Sequence, residues 1–598
     1  MRFKSRKEEG FQVFAVAGVN TVSFGITATN AARTGLLGFG VERIDHKENE
    51  QYFMTGMKVF PSVLPNPDET TRVSTYDHPI QSFVWDDFTA KPGGRYTYLF
   101  HPLRGTPKKL DRTATPIAIE VTTEELFTKG THDIFFNRGA ASSQAYAREF
   151  RNLPPTKIED SKERQRALDW LSRELDEALL KFINQARPGD ELLGCFYEFR
   201  YQPVAEALAN AARAGVHLRL IVDAKDNSYT DKKGVFHKAF PRTENLAMLK
   251  EVKIPKKHYH LRQMRPNDIQ HNKFMVLRRK GKSYAEAVWT GSTNLSMGGI
   301  HGQTNVGHWV RDRATAEAFR AYWLILESDP GALNGSSPDG RADNQAFTSS
   351  IEELSPTFVD DADIAPGITP IFSPRRGLKM LQRYVSMLSE SRSHACVTLA
   401  FGVGKEFREA LLQHDVDGPL TLLLIEKEDG PNPNSKNNED WTPINSKNNV
   451  YKAFGAYLED PVYQFAKETN TRLLDMNQHV AYIHSKFMLV DPIGDDPIVV
   501  TGSANFSDAS TRGNDENMMI IRGDRRVADI YFTEFNRLFF HYYYRSVVQL
   551  TSRMRYRQSR TPDQAPQFLK ETPHEWLNDY APNKFKTKRV QMFAEMSM

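Results

Sequence analysis

Cysteine is almost absent: the 598 residues hold two, Cys195 and Cys396. They stand about 200 residues apart in apolar runs, which argues against a disulfide framework and for a reducing compartment. Both read as buried core residues. Long hydrophobic runs are missing too. No stretch reaches the roughly 18 uninterrupted apolar residues that a membrane-spanning helix needs. The charged start Met1-Arg2-Phe3-Lys4-Ser5-Arg6-Lys7-Glu8-Glu9 leads into only a short apolar stretch, Phe11 to Ala17, so it is no secretory signal. An excess of one charge sign is also lacking. A formal net charge of +4 on this length creates no global field that would advertise nucleic acid or anionic lipid. The expected address is the cytoplasm, with export by a signal-less route left open.

What remains is an ordinary globular composition, 40% hydrophobic and 25% charged, on a chain long enough for about three to four domains. Short apolar or alternating runs separated by turns such as Lys91-Pro92-Gly93-Gly94 fill residues 11 to 121 and predict an antiparallel β-sandwich of fibronectin or immunoglobulin type. The pattern changes after Thr156. Ser161 can cap a helix whose Leu168, Leu171, Leu175, Leu179 and Phe182 form one stripe. A strand at Leu192 to Phe199, a helix at Val204 to Ala214 and a strand at Val216 to Val222 then make a βαβ unit. The same order recurs at Ala395 to Phe401, Lys405 to Gln413 and Leu420 to Ile425, with Cys195 and Cys396 at comparable positions. The chain therefore divides into a β-sandwich (1–125), a linker (126–160), a first repeat (161–345), a second linker (346–365), a second repeat (366–550) and a C-terminal tail (551–598) with no assigned function. Asp329 to Asp363 has linker composition. Gly430 to Asn449, with Asn-Ser-Lys-Asn-Asn at 434–438 and 445–449, reads as a surface loop.

Each repeat carries a motif that points to chemistry. The first reads Gln270-His271-Asn272-Lys273-Phe274-Met275, then Thr290-Gly291-Ser292-Thr293-Asn294. The second reads Ile483-His484-Ser485-Lys486-Phe487-Met488, then Thr501-Gly502-Ser503-Ala504-Asn505. In a strand alternate residues share a face, so each His stands beside its Lys while the residue between points away. Two such faces brought together supply what phosphodiester cleavage requires. One neutral imidazole (His271 or His484) attacks phosphorus, and the other, protonated, donates to the leaving oxygen. Lys273 and Lys486, with Asn294, Asn505, Ser292 and Ser503, neutralise and bind the phosphate oxygens, so no metal or cofactor is called for. A zinc site would need three or four ligands at short spacing and no adjacent lysine. Gly-Ser-x-Asn lacks the second glycine of a nucleophile elbow. His258, His260, His301 and His308, unaccompanied by any such motif, default to structural roles.

At these residues the chain resembles the phospholipase D superfamily, whose signature is His-x-Lys-x4-Asp followed by Gly-Ser-x-Asn, twice per active site. The resemblance implies an α/β fold of two phospholipase D-like αβα sandwich repeats related by a pseudo-twofold axis. The second copy fits in full, with Asp491 and, further on, Glu516 as supporting residues. In the first copy Arg278 stands where the Asp is expected, and the place of the downstream Glu is taken by Thr304. By resemblance His271 is the nucleophile and His484 the acid, although the intact neighbourhood of His484 would also support the reverse.

The leading expectation is hydrolysis, or transfer to an alcohol, of phosphatidyl groups of glycerophospholipids, with peripheral membrane contact. The alternatives are a nuclease or DNA-end processing phosphodiesterase, suggested by Arg278-Arg279-Lys280-Gly281-Lys282, and a binding or scaffold protein with a degenerate catalytic module. Head group, oligomeric state and the partner of the β-domain are not specified by the sequence.

Overall fold

Near-continuous apolar runs such as Leu192-Leu193-Gly194-Cys195-Phe196 suit strands buried on both faces, and in the computed structural model they occupy the centres of two seven-stranded sheets. The structure describes residues 1–67, 71–139, 144–151, 153–356, 358, 364–427, 444–455, 482–558 and 568–598. The first Asn-Ser-Lys-Asn-Asn run and most of the insertion around it lie outside these. The second run forms a short turn, Ser446–Asn448, capped by Asn445.

The two large sheets have the same strand order. In the first it runs His132–Phe136, Val306–Val310, Ala287–Gly291, Lys273–Arg278, Glu191–Phe196, His217–Asp223 and Tyr259–Arg262. In the second it runs Gly367–Ser373, Glu516–Arg522, Ile498–Gly502, Phe487–Val490, His394–Leu399, Leu420–Ile425 and Val450–Phe454. The last three strands of each are parallel and the others antiparallel. The duplication read from the motifs is thus a duplication of whole sheets. One detail is corrected. Val276 and Leu489, each five residues past its motif histidine, pair with Leu193 and Cys396. Cys195 therefore matches Thr398, not Cys396. The two thiols are two positions apart on the same buried face, and both are free.

The repeats exchange helices. Arg313–Glu327 of the first repeat packs on Gly367–Ser373 of the second, where the Tyr322 hydroxyl donates to Ser373 O at 2.9 Å. Reciprocally, the long helix Arg525–Gln558 packs on His132–Phe136, and Arg526 donates to His132 O at 2.8 Å. Tyr322, Phe372, Phe487, Tyr531 and Phe535 fill the shared core between them.

Several segments differ from their sequence reading. The helix expected after Ser161 is capped by Asp160, whose side chain accepts from Glu163 N at 2.7 Å, and it breaks into Ser161–Ser172 and Leu175–Asn184. At the break Arg173 and Glu174 adopt left-handed backbone, which turns the Arg173 guanidinium inward to Glu534 at 2.7 Å. The stretch of linker composition contains the helix Pro338–Leu354, started by Ser337 and Pro338. Strand His132–Phe136, from the segment read as the first linker, forms an edge of the first repeat's sheet.

The N-terminal sandwich is formed by one sheet of Arg2–Lys4, Phe11–Ala17, Val22–Ala28 and Val84–Asp87 and another built around Gly38–Asp45 and Arg95–Thr106. Phe11, Phe24, Phe39, Tyr98 and Phe100 fill it. Residues 568–598, read as part of a tail, pack on this sandwich: Phe593 lies so close to Gly25 that a Cβ there would fall 2.3 Å from its own, and Trp576 Nε1 donates to Leu36 O at 2.9 Å. The spacing of Trp576, Tyr580, Val590 and Phe593, all buried, explains why this polar-looking end is folded.

Four histidines away from the motifs, His132, His301, His308 and His394, are buried, and burial favours their neutral form. His132 Nδ1 and His308 Nε2 are 2.9 Å apart, and His301 sits between Tyr201 Oη and Leu168 O at 3.1 and 3.2 Å. Burial, the largest influence at each, pushes His132, His301 and His394 down to about 4. The unfolded chain, with histidines near 6.5, takes up protons first on acidification. Stability is therefore complete above about pH 6.5 and lost as pH falls toward 4, by roughly 3 kcal/mol per histidine. Thermal melts from pH 8 to pH 5 should show a steep fall in Tm; a flat profile would contradict this burial.

Candidate active site

Each motif histidine sits just before its strand, where the chain leaves its own sheet and pairs with the other repeat. Gln270 bridges Asp515, and His271 N donates to Asp515 O at 2.9 Å. Ile483 bridges Thr304, and Thr304 N donates to Tyr482 O at 2.7 Å. A carboxylate from the repeat's own sheet fixes each entrance: Asp223 accepts from Gln270 N at 3.0 Å, and Glu426 accepts from Ile483 N at 2.7 Å. The residue between His and Lys points away, as the strand period predicts, and it too reaches across the interface. Asn272 Oδ1 accepts from Asn517 Nδ2 at 2.8 Å, and Ser485 Oγ lies 3.1 Å from Thr304 Oγ1.

This crossing brings the two imidazoles together, with ring centroids 6.5 Å apart and planes at 71°. It also decides what supports each. His271 Nδ1 lies 2.9 Å from Glu516 Oε2, a carboxylate of the second repeat. His484 Nδ1 lies 2.9 Å from Asn305 Oδ1, an amide of the first. The acidic element of the complete motif therefore serves the histidine of the incomplete one. The position equivalent to Glu516 is Asn305 and not Thr304: Ser292 Oγ donates to Asn305 at 2.8 Å and Ser503 Oγ to Glu516 at 2.7 Å, each thirteen residues apart in sequence. That shared spacing is the signal that could have found Asn305. The neighbourhood of His484 is thus not the better supported one, which removes the argument for reversed roles.

Both serines are fully buried with their hydroxyl protons committed to these acceptors. In this structure they hold Asn305 and Glu516 in place. A one-turn π-helical segment after each Gly-Ser-x-Asn completes the support: Gly299 O accepts from Asn305 Nδ2 at 2.8 Å, and Ser510 Oγ donates to Glu516 at 3.0 Å. With Asn305 donating from its nitrogen, its oxygen faces His484, so both Nδ1 atoms carry the proton and each Nε2 is left for chemistry.

The lysines fold back over their own motifs. Lys486 Nζ donates to His484 O at 2.6 Å, and Lys273 Nζ donates to His271 O. Burial brings Lys273 down to about 8 against the pull of Glu516 and Glu198, and it holds Lys486 well below its usual value with Lys273 adding to the effect. Burial likewise lowers His271 to about 4, opposed chiefly by Glu516, and carries His484 well below 6.5 with Lys486 and Lys273 reinforcing it. Burial alone would raise Glu516, but His271, Lys273 and Ser503 hold it below the ordinary carboxylate range. Burial thus favours the neutral form of both imidazoles, while its neighbours favour the ionised form of Glu516.

Asn294 donates to Glu198 at 2.7 Å, and its buried Oδ1, like that of Asn505, has no hydrogen-bond partner among the described residues. Asp491 lies at the far end of the His484 strand, where its carboxylate receives Arg392 N and Ser393 N at 2.8 and 2.7 Å and anchors the start of His394–Leu399. In the first repeat Asp190 does similar work, accepting from Lys280 N at 2.8 Å and Arg187 N at 2.9 Å, while Arg278 pairs with Glu191 at 2.9 Å. Beside the motifs, the Tyr197 ring meets His271 at 5.1 Å, a contact that no local pattern around Tyr197 marks.

A family described as cardiolipin synthase, PLD-like domain, matches residues 179–324 and again 386–539, together half of the chain. The chain belongs to this phospholipase D-like family. The two matches cover six of the seven strands of each motif-bearing sheet, all but His132–Phe136 in the first and Gly367–Ser373 in the second. Among curated proteins none matches the sequence. Similar solved structures include a phosphatidylserine synthase from Haemophilus influenzae, 11% identical over 65% of this chain and 92% of that one, with a TM-score of 0.39. Yeast tyrosyl-DNA phosphodiesterase is 11% identical over 56% of this chain and 84% of its own, with a TM-score of 0.29. A polyphosphate kinase from Porphyromonas gingivalis is 12% identical over 59% of this chain, with a TM-score of 0.34, and the match spans 46% of the kinase, somewhat under half its length. No helix among the described residues of this phospholipase D-like chain is long and apolar enough to cross a membrane.

Proposed function

We propose that the protein is a metal-independent phosphodiesterase that hydrolyses phosphatidyl groups of glycerophospholipids or transfers them to an alcohol. The observation that carries this reading is the crossed support of the two imidazoles, carboxylate on His271 and amide on His484. A centroid separation of 6.5 Å suits a phosphate between them, which needs about 3 Å to the attacking nitrogen and about 3 Å to the proton donor.

In the first step His271 Nε2 attacks phosphorus, the bond to the leaving oxygen breaks, and the proton on His484 Nε2 goes to that oxygen. The phosphorylated His271 ring keeps its Nδ1 proton and carries a positive charge, which the Glu516 carboxylate stabilises. In the second step His484 takes a proton from water or an alcohol, whose oxygen attacks phosphorus, and His271 leaves as neutral imidazole. Substrate helps to set these states, because an anionic phosphodiester beside His484 raises the affinity of that ring for its proton. Lys273, Lys486, Asn294 and Asn505 are the groups assigned to the non-bridging oxygens.

The phospholipid substrate is supported by the family description, which names a cardiolipin synthase. Half of the charge in the basic stretch that suggested nucleic acid is already paired, Arg278 with Glu191 and Arg279 with Asp190 and Glu286, while Lys280 and Lys282 are exposed. Phosphatidylglycerol vesicles with ethanol present should yield phosphatidylethanol, unaffected by chelator. Absence of lipid product would overturn the assignment.

Replacing Glu516 by Gln keeps a hydrogen-bond partner but removes the charge that stabilises phosphorylated His271. The expected result is a fall in kcat of about 10²- to 10³-fold with little change in KM, since the interaction strengthens in the transition state. An unchanged kcat would refute that role for the carboxylate.

A further inference from the structure

The pseudo-twofold site has unequal walls. Aligning the first strands of the two repeats, Glu191 on His394, also aligns the starts of the following helices, Gln202–Arg213 and Lys405–Leu412. Glu198 and Arg200 of the first repeat then match Phe401 and Val403 of the second. The charged pair of the first repeat thus has an apolar counterpart in the second.

The charged wall is built rather than merely exposed. Glu198, 7% exposed, holds two groups at once: Oε1 accepts from Asn294 Nδ2 at 2.7 Å and Oε2 from Arg200 Nε at 2.7 Å. The Arg200 guanidinium also lies 5.5 Å from the Phe240 ring centroid. Phe240 meets Tyr197 edge-on at 6.5 Å, and Tyr197 meets His271 at 5.1 Å. Arg200 is thus fixed from two sides, yet among the described residues neither Nη atom has a hydrogen-bond partner. Its side chain is 24% exposed. A planar fork with its stem held and its two outer nitrogens free matches a phosphate in shape and charge. Asn294 Oδ1, buried and without a partner among the described residues, lies at the other end of the same clamp.

We propose that Arg200 is a specificity-determining residue that receives a second phosphate of the substrate, a short distance from the phosphodiester held between His271 and His484. Glu198 is its positioning residue, tying this second position to Asn294. The inference rests on the phosphodiesterase reading above. With His484 protonated for its acid role, the cations are Lys273, Lys486, Arg200 and His484, the carboxylates Glu516 and Glu198, and two phosphate groups bring the site near neutrality. Phe401 and Val403 offer no such fork, so the substrate carries its second phosphate on one side only.

The test is titration calorimetry on the full-length protein with glycerol 3-phosphate and glycerol 1,3-bisphosphate at fixed ionic strength. The wild-type protein is expected to bind the bisphosphate at least about tenfold more tightly. Arg200→Gln should bring that ratio close to one, and Arg200→Lys, which keeps charge but loses the fork, should leave an intermediate value. Unchanged melting temperatures would show that both variants fold. A 5′-phosphorylated dinucleotide run in parallel shows whether an Arg200-dependent preference extends to a nucleotide source of the second phosphate; a preference for either probe that depends on Arg200 supports the proposal. A wild-type protein that binds the monophosphate with no preference for either two-phosphate probe, or an Arg200→Gln variant that keeps the full preference, would overturn it and leave the phosphodiesterase reading intact. Failure to bind any of these phosphates would overturn both.

Discussion

Replacing His271 by alanine is expected to lower kcat/KM on phosphatidylglycerol vesicles by at least about 10⁴-fold, because it removes the atom that forms the covalent bond. The loss should be one of chemistry. The surroundings of His271 do not depend on its ring: Glu516 keeps Ser503 and Ser510, and the bridge from Gln270 to Asp515 is made by backbone. The melting temperature should therefore move by only a few degrees. Residual activity within tenfold of wild type would exclude His271 as nucleophile, whereas a collapsed melting temperature would show that the ring is needed for the fold.

The second large effect concerns stability. Glu534, 2% exposed, joins three parts of the chain: it accepts from Arg173 at 2.7 Å, from Arg537 at 2.8 Å and from Thr21 of the sandwich at 3.3 Å. Burial alone would raise its pKa, yet Arg173 and Arg537 bring it down to about 2. Glu534→Ala leaves two guanidiniums buried without a counter-charge, at a cost of about 3–5 kcal/mol. Denaturant unfolding should show this loss. Because the folded carboxyl titrates low, the contribution of Glu534 is full above about pH 4.5 and fades toward pH 2, so the difference between wild type and variant should shrink in acid. A cost under 1 kcal/mol at neutral pH would mean that the junction adds little.

Much of this arrangement was legible in the sequence because its signals are local. The βαβ order, the His-x-Lys pairs and their recurrence depend on residues close in the chain, and the sheets follow them. The crossing of support was not legible. Glu516 stands in sequence beside the complete second motif, but strand Glu516–Arg522 begins where the two repeats pair, so its first side chain meets His271. The role of Asn305, next to the expected Thr304, is hidden for the same reason, although the thirteen-residue spacing from each serine marks the position. The break at Arg173 and the docking of Phe593 on Gly25 depend on partners hundreds of residues away, which no local periodicity reports.

The most direct test is to locate the covalent intermediate. Wild-type protein and the His484→Ala variant are mixed with phosphatidylglycerol vesicles, quenched in alkali to preserve phosphohistidine, digested and mapped by mass spectrometry. The modification should fall on His271, be absent in His271→Ala, and in His484→Ala form slowly for want of the acid yet persist once formed, because the base for the second step is missing too. Modification of His484, or of neither histidine in an active protein, would contradict the assignment of His271 as nucleophile and His484 as acid.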